Sequence, residues 1–284
     1  MKKFISLFLS AVCLGTCASV FAGCGGDGKY PVYLIIGQSN ANGNGRIEHL
    51  TDTSYVDKEY ENVLIHCGGT SNSTVNGKLL KVSTKEGQGS TSTDRFGIEV
   101  GLADFFTSKK YNAGLIKCGF DGSSINLNNT SFGTWWTEIS EIPEGKKRCY
   151  SEFLVSVATA MQQFKDAGYD PVIKGAIWLQ GESNAGDSTY AEDLDKLINK
   201  IRTDLSLPEL YFVAGTISYV YPGSYQENCA VNVAIRDLKN KENCDFVESG
   251  TYPTNAADRY HWTGTNLVDI GKLFAKKMYD KFGK

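Results

Sequence analysis

The chain has 284 residues with a formal net charge of −3, 41% of them hydrophobic and 21% charged, an ordinary globular composition. With no basic stripe it carries no electrostatic footprint for nucleic acid. Its length suits one α/β domain of about 250 residues better than two independent cores, and a monomer is expected.

The amino terminus reads as a targeting segment. Met1-Lys2-Lys3 is a short basic region, Phe4 to Val20 an apolar run, and Val20-Phe21-Ala22 a small-residue cleavage site. Residues 1–22 are therefore expected to be a signal peptide and 23–284 a single domain, exported from the cell. An uncleaved anchor is the weaker reading, because the run is short and flecked with polar residues. No later stretch approaches the roughly 20 apolar residues that span a bilayer. Phe21-Ala22-Gly23-Cys24 also resembles a lipoprotein processing box, which makes lipid anchoring through Cys24 the alternative to free secretion. Beyond the signal lie Cys24, Cys67, Cys118, Cys149, Cys229 and Cys244. In an exported protein these six are compatible with up to three disulfides. Cys229–Cys244, bracketing a helix and the strand after it, is the favoured pair; Cys118 ends an apolar strand and is expected as a buried thiol.

Apolar runs and amphipathic periods then alternate, predicting βαβ units on a parallel sheet. Strands are expected at Pro31–Ile36, Val63–His66, Ala113–Lys117, Val172–Leu179, Leu210–Ala214 and Asp245–Glu248. Helical faces are formed by Phe153, Val157, Ala160, Met161 and Phe164; by Tyr190, Leu194, Leu197, Ile198 and Ile201; and by Leu267, Ile270, Leu273, Phe274 and Met278. Two polar stretches interrupt the pattern. Gly68 to Asp94 is rich in Gly, Ser, Thr and Asn, broken only at Leu79–Val82, and Asn126 to Thr134 leads into Trp135-Trp136. Loops of such length in a compact domain are functional or mobile, and these are expected to border one cleft at the carboxyl ends of the strands.

The chemistry gathers at the same ends. Leu34-Ile35-Ile36-Gly37-Gln38-Ser39-Asn40 runs a buried strand into a turn that presents a serine. A serine hydroxyl needs a base at neutral pH, and the chain has three histidines, His49, His66 and His261. His66 lies in an apolar strand, as a core histidine would, and His49 follows the serine too closely to reach back. His261 precedes an amphipathic helix, and Asp258, three residues earlier, can fix its tautomer. For the oxyanion, the donors expected are the Ser39 amide, the Gly122 amide after the third strand, and a side-chain amide from Gln180 or Asn184 after the fourth. His66-Cys67 alone is too little for a metal site, so neither metal nor cofactor is expected.

As a set, these blocks resemble the SGNH/GDSL hydrolase superfamily. They are most similar to its sialate O-acetylesterase-like group and to the acetylxylan esterases of carbohydrate esterase family six. The resemblance rests on Gly37-Gln38-Ser39-Asn40, Phe96-Gly97-Ile98-Glu99, Phe120-Asp121-Gly122-Ser123-Ser124-Ile125, Trp178-Leu179-Gln180-Gly181-Glu182-Ser183-Asn184 and Asp258-Arg259-Tyr260-His261, in that order. It implies a flavodoxin-like three-layer α/β/α fold, a parallel sheet of about five strands in the order 2-1-3-4-5, and deacetylation through an acetyl-enzyme without metal. Asp121 departs from the pattern, standing where a second glycine is common. Glu182 is the alternative or auxiliary acid to Asp258, which is favoured. An α/β-hydrolase elbow would need Gly where Ala41 stands.

Three functions are weighed. The leading one is a secreted esterase acting on acetylated polysaccharide or oligosaccharide, acetylxylan first, with Trp135, Trp136 and Trp262 either as sugar-stacking walls or as core. A sialate O-acetylesterase would want a cation at its substrate's carboxylate, from Arg46, Arg95 or Arg259. A non-catalytic carbohydrate-binding module would have no need of Ser39, Asp258 and His261 together. Asn72, Asn128 and Asn129 open glycosylation sequons that matter only in a glycosylating host.

Overall fold

A seven-stranded sheet organises the computed structural model, which describes residues 28–220 and 225–283. The expected signal peptide and Cys24 lie outside the described residues. The strands are β1 (Tyr30–Gly37), β2 (Glu59–Gly68), β3 (Leu79–Ser83), β4 (Ala113–Gly119), β5 (Pro171–Leu179), β6 (Tyr211–Gly215) and β7 (Cys244–Val247). Their spatial order is β3-β2-β4-β1-β5-β6-β7, parallel throughout except for β3.

The five strands β4-β1-β5-β6-β7 keep the expected order 2-1-3-4-5. The strand around Val63–His66, second in the chain, does not flank β1; it pairs with β4 at the outer edge, so the sheet is wider than the five strands expected. The polar stretch 68–94 supplies the extra edge. Its apolar interruption forms β3, which folds back antiparallel on β2 and covers that strand's outer side, while β4 pairs with β1.

Helices cover both faces, giving the three-layer α/β/α architecture of the SGNH hydrolases. Strand β1 shows why, since alternate side chains leave a strand on opposite faces. Val32, Leu34 and Ile36 pack with α3 (Cys149–Asp166), α4 (Tyr190–Asp204) and α5 (Ala230–Asp237). Tyr33 and Ile35 pack with α2 (Glu99–Ser108) and α6 (Gly264–Phe282). All eight residues of β1 are buried, as a strand between two helical layers must be. The three helical faces read from the sequence are buried largely as expected, although Leu273 sits at the rim of its face, 37% exposed.

The favoured disulfide is not formed. Cys229 and Cys244 are free thiols, as are Cys67, Cys118 and Cys149. Cys229 precedes the first turn of α5, whereas Cys244 opens β7 after the chain has left that helix's far end. An eight-residue helix is about 12 Å long, beyond the ~7 Å Cα separation that a disulfide spans. Cys118 is the buried thiol expected.

Candidate active site

Strand β1 ends in a turn that only glycine allows. Gly37 has φ +137°, and a Cβ there would lie 2.0 Å from the Leu179 carbonyl oxygen of β5. The Gln38 amide donates to that same oxygen at 2.9 Å. The chain then enters one helical turn, α1 (Ser39–Asn42), with Ser39 as its first residue. A first-turn amide has no partner within its own helix, so the Ser39 N–H is available to an oxyanion.

His261 arrives from the other end of the chain. The segment expected as a loop is a short antiparallel hairpin, Thr254–Asn255 paired with Asp258–Trp262. Thr263 then caps α6 by accepting the Asn266 amide at 3.3 Å, which fixes the exit from the hairpin. The outcome is a continuous line of hydrogen bonds. His261 Nε2 lies 2.8 Å from Ser39 Oγ, and His261 Nδ1 lies 2.5 Å from Asp258 Oδ2. Burial by itself would raise the Asp258 carboxyl, but the hydrogen bond and charge of His261 outweigh it and hold that carboxyl below its usual range. His66 and His49 take no part. His66 is buried against Gln163, 2.7 Å away, and burial lowers its pKa; His49 sits at the surface beside Glu48.

Glu182 does not contact the imidazole through any hydrogen bond. Its Oε1 accepts from Asn40 Nδ2 at 2.6 Å, while Oε2 is buried without a partner. Burial therefore raises its pKa, only partly offset by its hydrogen bonds and by the charge of His261. Asn40 also donates to the Tyr260 carbonyl at 3.0 Å and accepts the Trp262 amide at 3.4 Å. The residue after Ser39 thus grips the backbone on both sides of His261, and Glu182 grips that residue. Sequence reasoning passed over Asn40, although its place in the Gly37-Gln38-Ser39-Asn40 block was the available signal.

These groups line a cavity of about 510 Å³ with Gln38, Ser39, Gly122, Glu182 and His261 among its walls, within the usual range for ligand sites. Gly122 has φ +69°, and its carbonyl accepts from Ser183 Oγ at 3.0 Å. Gln180 does not reach the cavity as expected. It is fully buried, and its Nε2 donates to Ser123 O at 3.1 Å and Asn184 Oδ1 at 2.7 Å. Asn184 is likewise committed, to Ser124 and Ile125. Both brace the Gly122 loop from beneath. The side-chain amides at the cavity wall are Gln38, Asn44 and Asn129, and Gln38, next to Ser39 in the chain, accepts from the Gly181 and Ser183 amides through its Oε1. With that oxygen engaged, its Nε2 is the end left for a substrate.

The expected tryptophan walls are not there. Trp135 and Trp262 are core residues, and Trp136 faces a separate hollow beside α4 under Lys196. Their bulk is spent on packing: Trp135 lies edge-on to Trp178 with ring centres 5.2 Å apart. The aromatic walls of the Ser39 cavity are Phe132, Tyr225 and Tyr260. Phe132, the one aromatic residue of the polar stretch 126–134 and 66% exposed, was legible as an anomaly. The loop that carries it is held by Asn126, which donates to Asp187 at 2.6 Å and Asp193 at 2.8 Å. Asp121 also lines the cavity and accepts from Asn42 Nδ2 at 2.8 Å. Among the described residues no group of His, Cys, Asp or Glu is placed to hold a metal ion, and no helix is long and apolar enough to cross a membrane.

Several solved structures share this fold. A protein of Arabidopsis thaliana is 17% identical with a TM-score of 0.60, covering 89% of this chain and 99% of its own. The protein titled NanS is 14% identical with a TM-score of 0.60, covering 90% of this chain and 98% of its own. A carbohydrate acetylesterase from Xanthomonas citri is 15% identical with a TM-score of 0.59, and the match spans 89% of this chain and 57% of that one. A search of the curated proteins finds no match. The family model for carbohydrate esterases described as sialic acid-specific acetylesterases matches residues 29–280. Spanning nearly the whole described chain, that match identifies the protein as a member of this carbohydrate acetylesterase family.

Proposed function

We propose that this protein is an exported serine esterase that removes acetyl groups from a neutral polysaccharide, acetylxylan first. The observation that carries the mechanism is the line Ser39 Oγ–His261–Asp258 on the wall of the 510 Å³ cavity. His261 Nε2 takes the Ser39 proton as Oγ attacks the acetyl carbonyl, while Asp258 stabilises the imidazolium through Nδ1–H. The oxyanion is met by the Ser39 and Gly122 amides, with Gln38 Nε2 as side-chain donor. The intermediate collapses as His261 protonates the departing sugar oxygen, leaving acetyl on Ser39. Water, deprotonated by His261, then releases acetate and restores the serine.

The choice of a neutral substrate rests on charge. Asp121 is among the described residues lining the cavity, with no lysine or arginine among them, so a sugar carboxylate bound against that lining would meet an acid and no lining cation. Of the three arginines weighed for a sialate, Arg46 pairs with Glu48 at 3.1 Å and Arg95 donates to Asn44 Oδ1 at 2.7 Å. Arg259 stacks 4.8 Å from the ring centre of Tyr260, at the cavity rim. That position and the family's description favour sialate O-acetylesterase as the second reading. Export is supported by the amino-terminal sequence pattern. Acetate release from acetylxylan, O-acetylated sialic acid and a small acetyl ester, measured side by side, tests all of this. Xylan should be cleaved well and sialate poorly; the reverse, together with a raised KM for sialate in Arg259→Ala, transfers the function to sialate.

A further inference from the structure

Next to the Ser39 cavity lies a second one of about 340 Å³, and Asp121 and Phe132 line both. Its other walls include Asn42, Thr70, Ser71 and Asn76, so the two polar loops meet here, one supplying Phe132 and the other Thr70 to Asn76. Its charged groups are already engaged. Lys147 Nζ lies 3.5 Å from Glu152 Oε2 and 4.4 Å from the centre of the Phe120 ring, which leaves little pull on an anionic ligand. Asn42 donates to Asp121, but its Oδ1 is buried with no hydrogen-bond partner. A buried acceptor left so is costly unless a ligand or water completes it.

Phe132 stands between the cavities. It is 66% exposed, an unusual setting for a phenyl ring, in a loop otherwise of Asn, Ser, Thr and Gly with a single Leu127. It packs against the bare Cα of Gly122, where a Cβ would come within 2.9 Å of Phe132 Cγ. An apolar ring flanked by amide and hydroxyl groups matches a sugar ring, which has C–H faces and a rim of hydroxyls.

We propose that the 340 Å³ cavity is a second saccharide subsite, taking a neutral sugar unit of the same chain whose acetylated neighbour sits at Ser39, with Phe132 as the platform between them. This rests on the esterase reading above and adds that the enzyme recognises at least two linked rings.

The test compares kcat/KM for 4-nitrophenyl acetate, an acetylated methyl xyloside with one ring, and acetylated xylotriose with three. Wild type should favour three rings over one by about tenfold or more. Asn76 is exposed on the outer wall, so Asn76→Trp should fold normally and fill the subsite; it should bring the three-ring to one-ring ratio close to one. Phe132→Ala should reduce the same ratio through the platform. Equal handling of one and three rings by wild type, or a ratio that neither variant moves, overturns the subsite while leaving the esterase reading intact. Hydrolysis of 4-nitrophenyl acetate with neither xylose ester cleaved overturns the neutral-sugar reading and the subsite with it. No hydrolysis of any of the three overturns the esterase reading itself.

Discussion

At the scale of single residues, two carboxylates near one imidazole have been given different work by their surroundings. Asp258 meets His261 Nδ1 directly and stays ionised below the usual carboxylate range. Glu182 is buried, which holds its carboxyl above the usual range, and its hydrogen-bonded link towards the histidine runs through Asn40. Asp258→Asn should therefore lower kcat by about 10⁴-fold through the wrong tautomer, whereas Glu182→Gln, which keeps an oxygen for Asn40, should stay within about tenfold. Steady-state kinetics of the two variants decide it, and a comparable loss from Glu182→Gln would move the acid role. Ser39→Ala and His261→Ala should each cost on the order of 10⁴-fold or more, and the double variant little beyond either, because the two act as one unit. The same burial gives Glu182 a signature in stability. Its folded pKa lies above the unfolded one, so the folded state holds the proton longer and wild-type stability falls as pH rises from the usual glutamate range through the raised value. Gln cannot titrate, so the melting temperature of Glu182→Gln relative to wild type should climb across that window. A difference that stays flat with pH would refute the upward shift of the buried carboxyl.

At the scale of elements, the polar loop 68–94 is anchored by an ion pair inside the sheet. Lys117 of β4 is 1% exposed; its Nζ lies 3.0 Å from Glu99 Oε1 at the start of α2 and also donates to the Gln88 carbonyl in the loop. Glu99 in turn accepts the Gly97 amide at 2.8 Å. One side chain thus ties strand, helix and loop together beside the wall that holds Asn44 and Ser90. Lys117→Met leaves Glu99 as an uncompensated buried charge and should cost about 3–5 kcal/mol of stability by urea denaturation. Adding Glu99→Gln should return part of that loss. An isolated loss in the Lys117 variant that Glu99→Gln makes worse would show that packing, and not charge, dominates there.

At the scale of the whole molecule, the site lies where the strand ends of a parallel sheet converge, beyond β1, β4 and β5. The walls are loops and a hairpin, and among the described residues the apolar lining amounts to Phe132, Tyr225 and Tyr260. None of these described walls offers a long acyl chain a continuous apolar bed, so burying eight carbons would desolvate polar walls for little return. Acetyl esters of one alcohol should have the highest kcat/KM, butyryl lower, and octanoyl lower again by about a hundredfold or more. A preference for octanoyl would point to an apolar channel that opens on binding.

Chemistry close together in the chain was readable from the chain alone. Gly37 to Asn40 and Asp258 to His261 offered the candidate nucleophile, base and acid, the last two because three residues of spacing let an aspartate reach an imidazole. Strand and helix periods likewise fixed the layers, since burial on both sides of β1 demands an unbroken apolar run. What depended on pairing over long separations was not readable. Which strand lies beside β1, whether Cys229 meets Cys244, and whether Gln180 or Gln38 faces the cavity all follow from crossovers and side-chain directions that no local pattern encodes. Large aromatic rings show the same division. An aromatic ring serves equally well as core filler or as a platform for a sugar, so only the tertiary structure could send Trp135 and Trp262 inward and leave Phe132 at the mouth of the site.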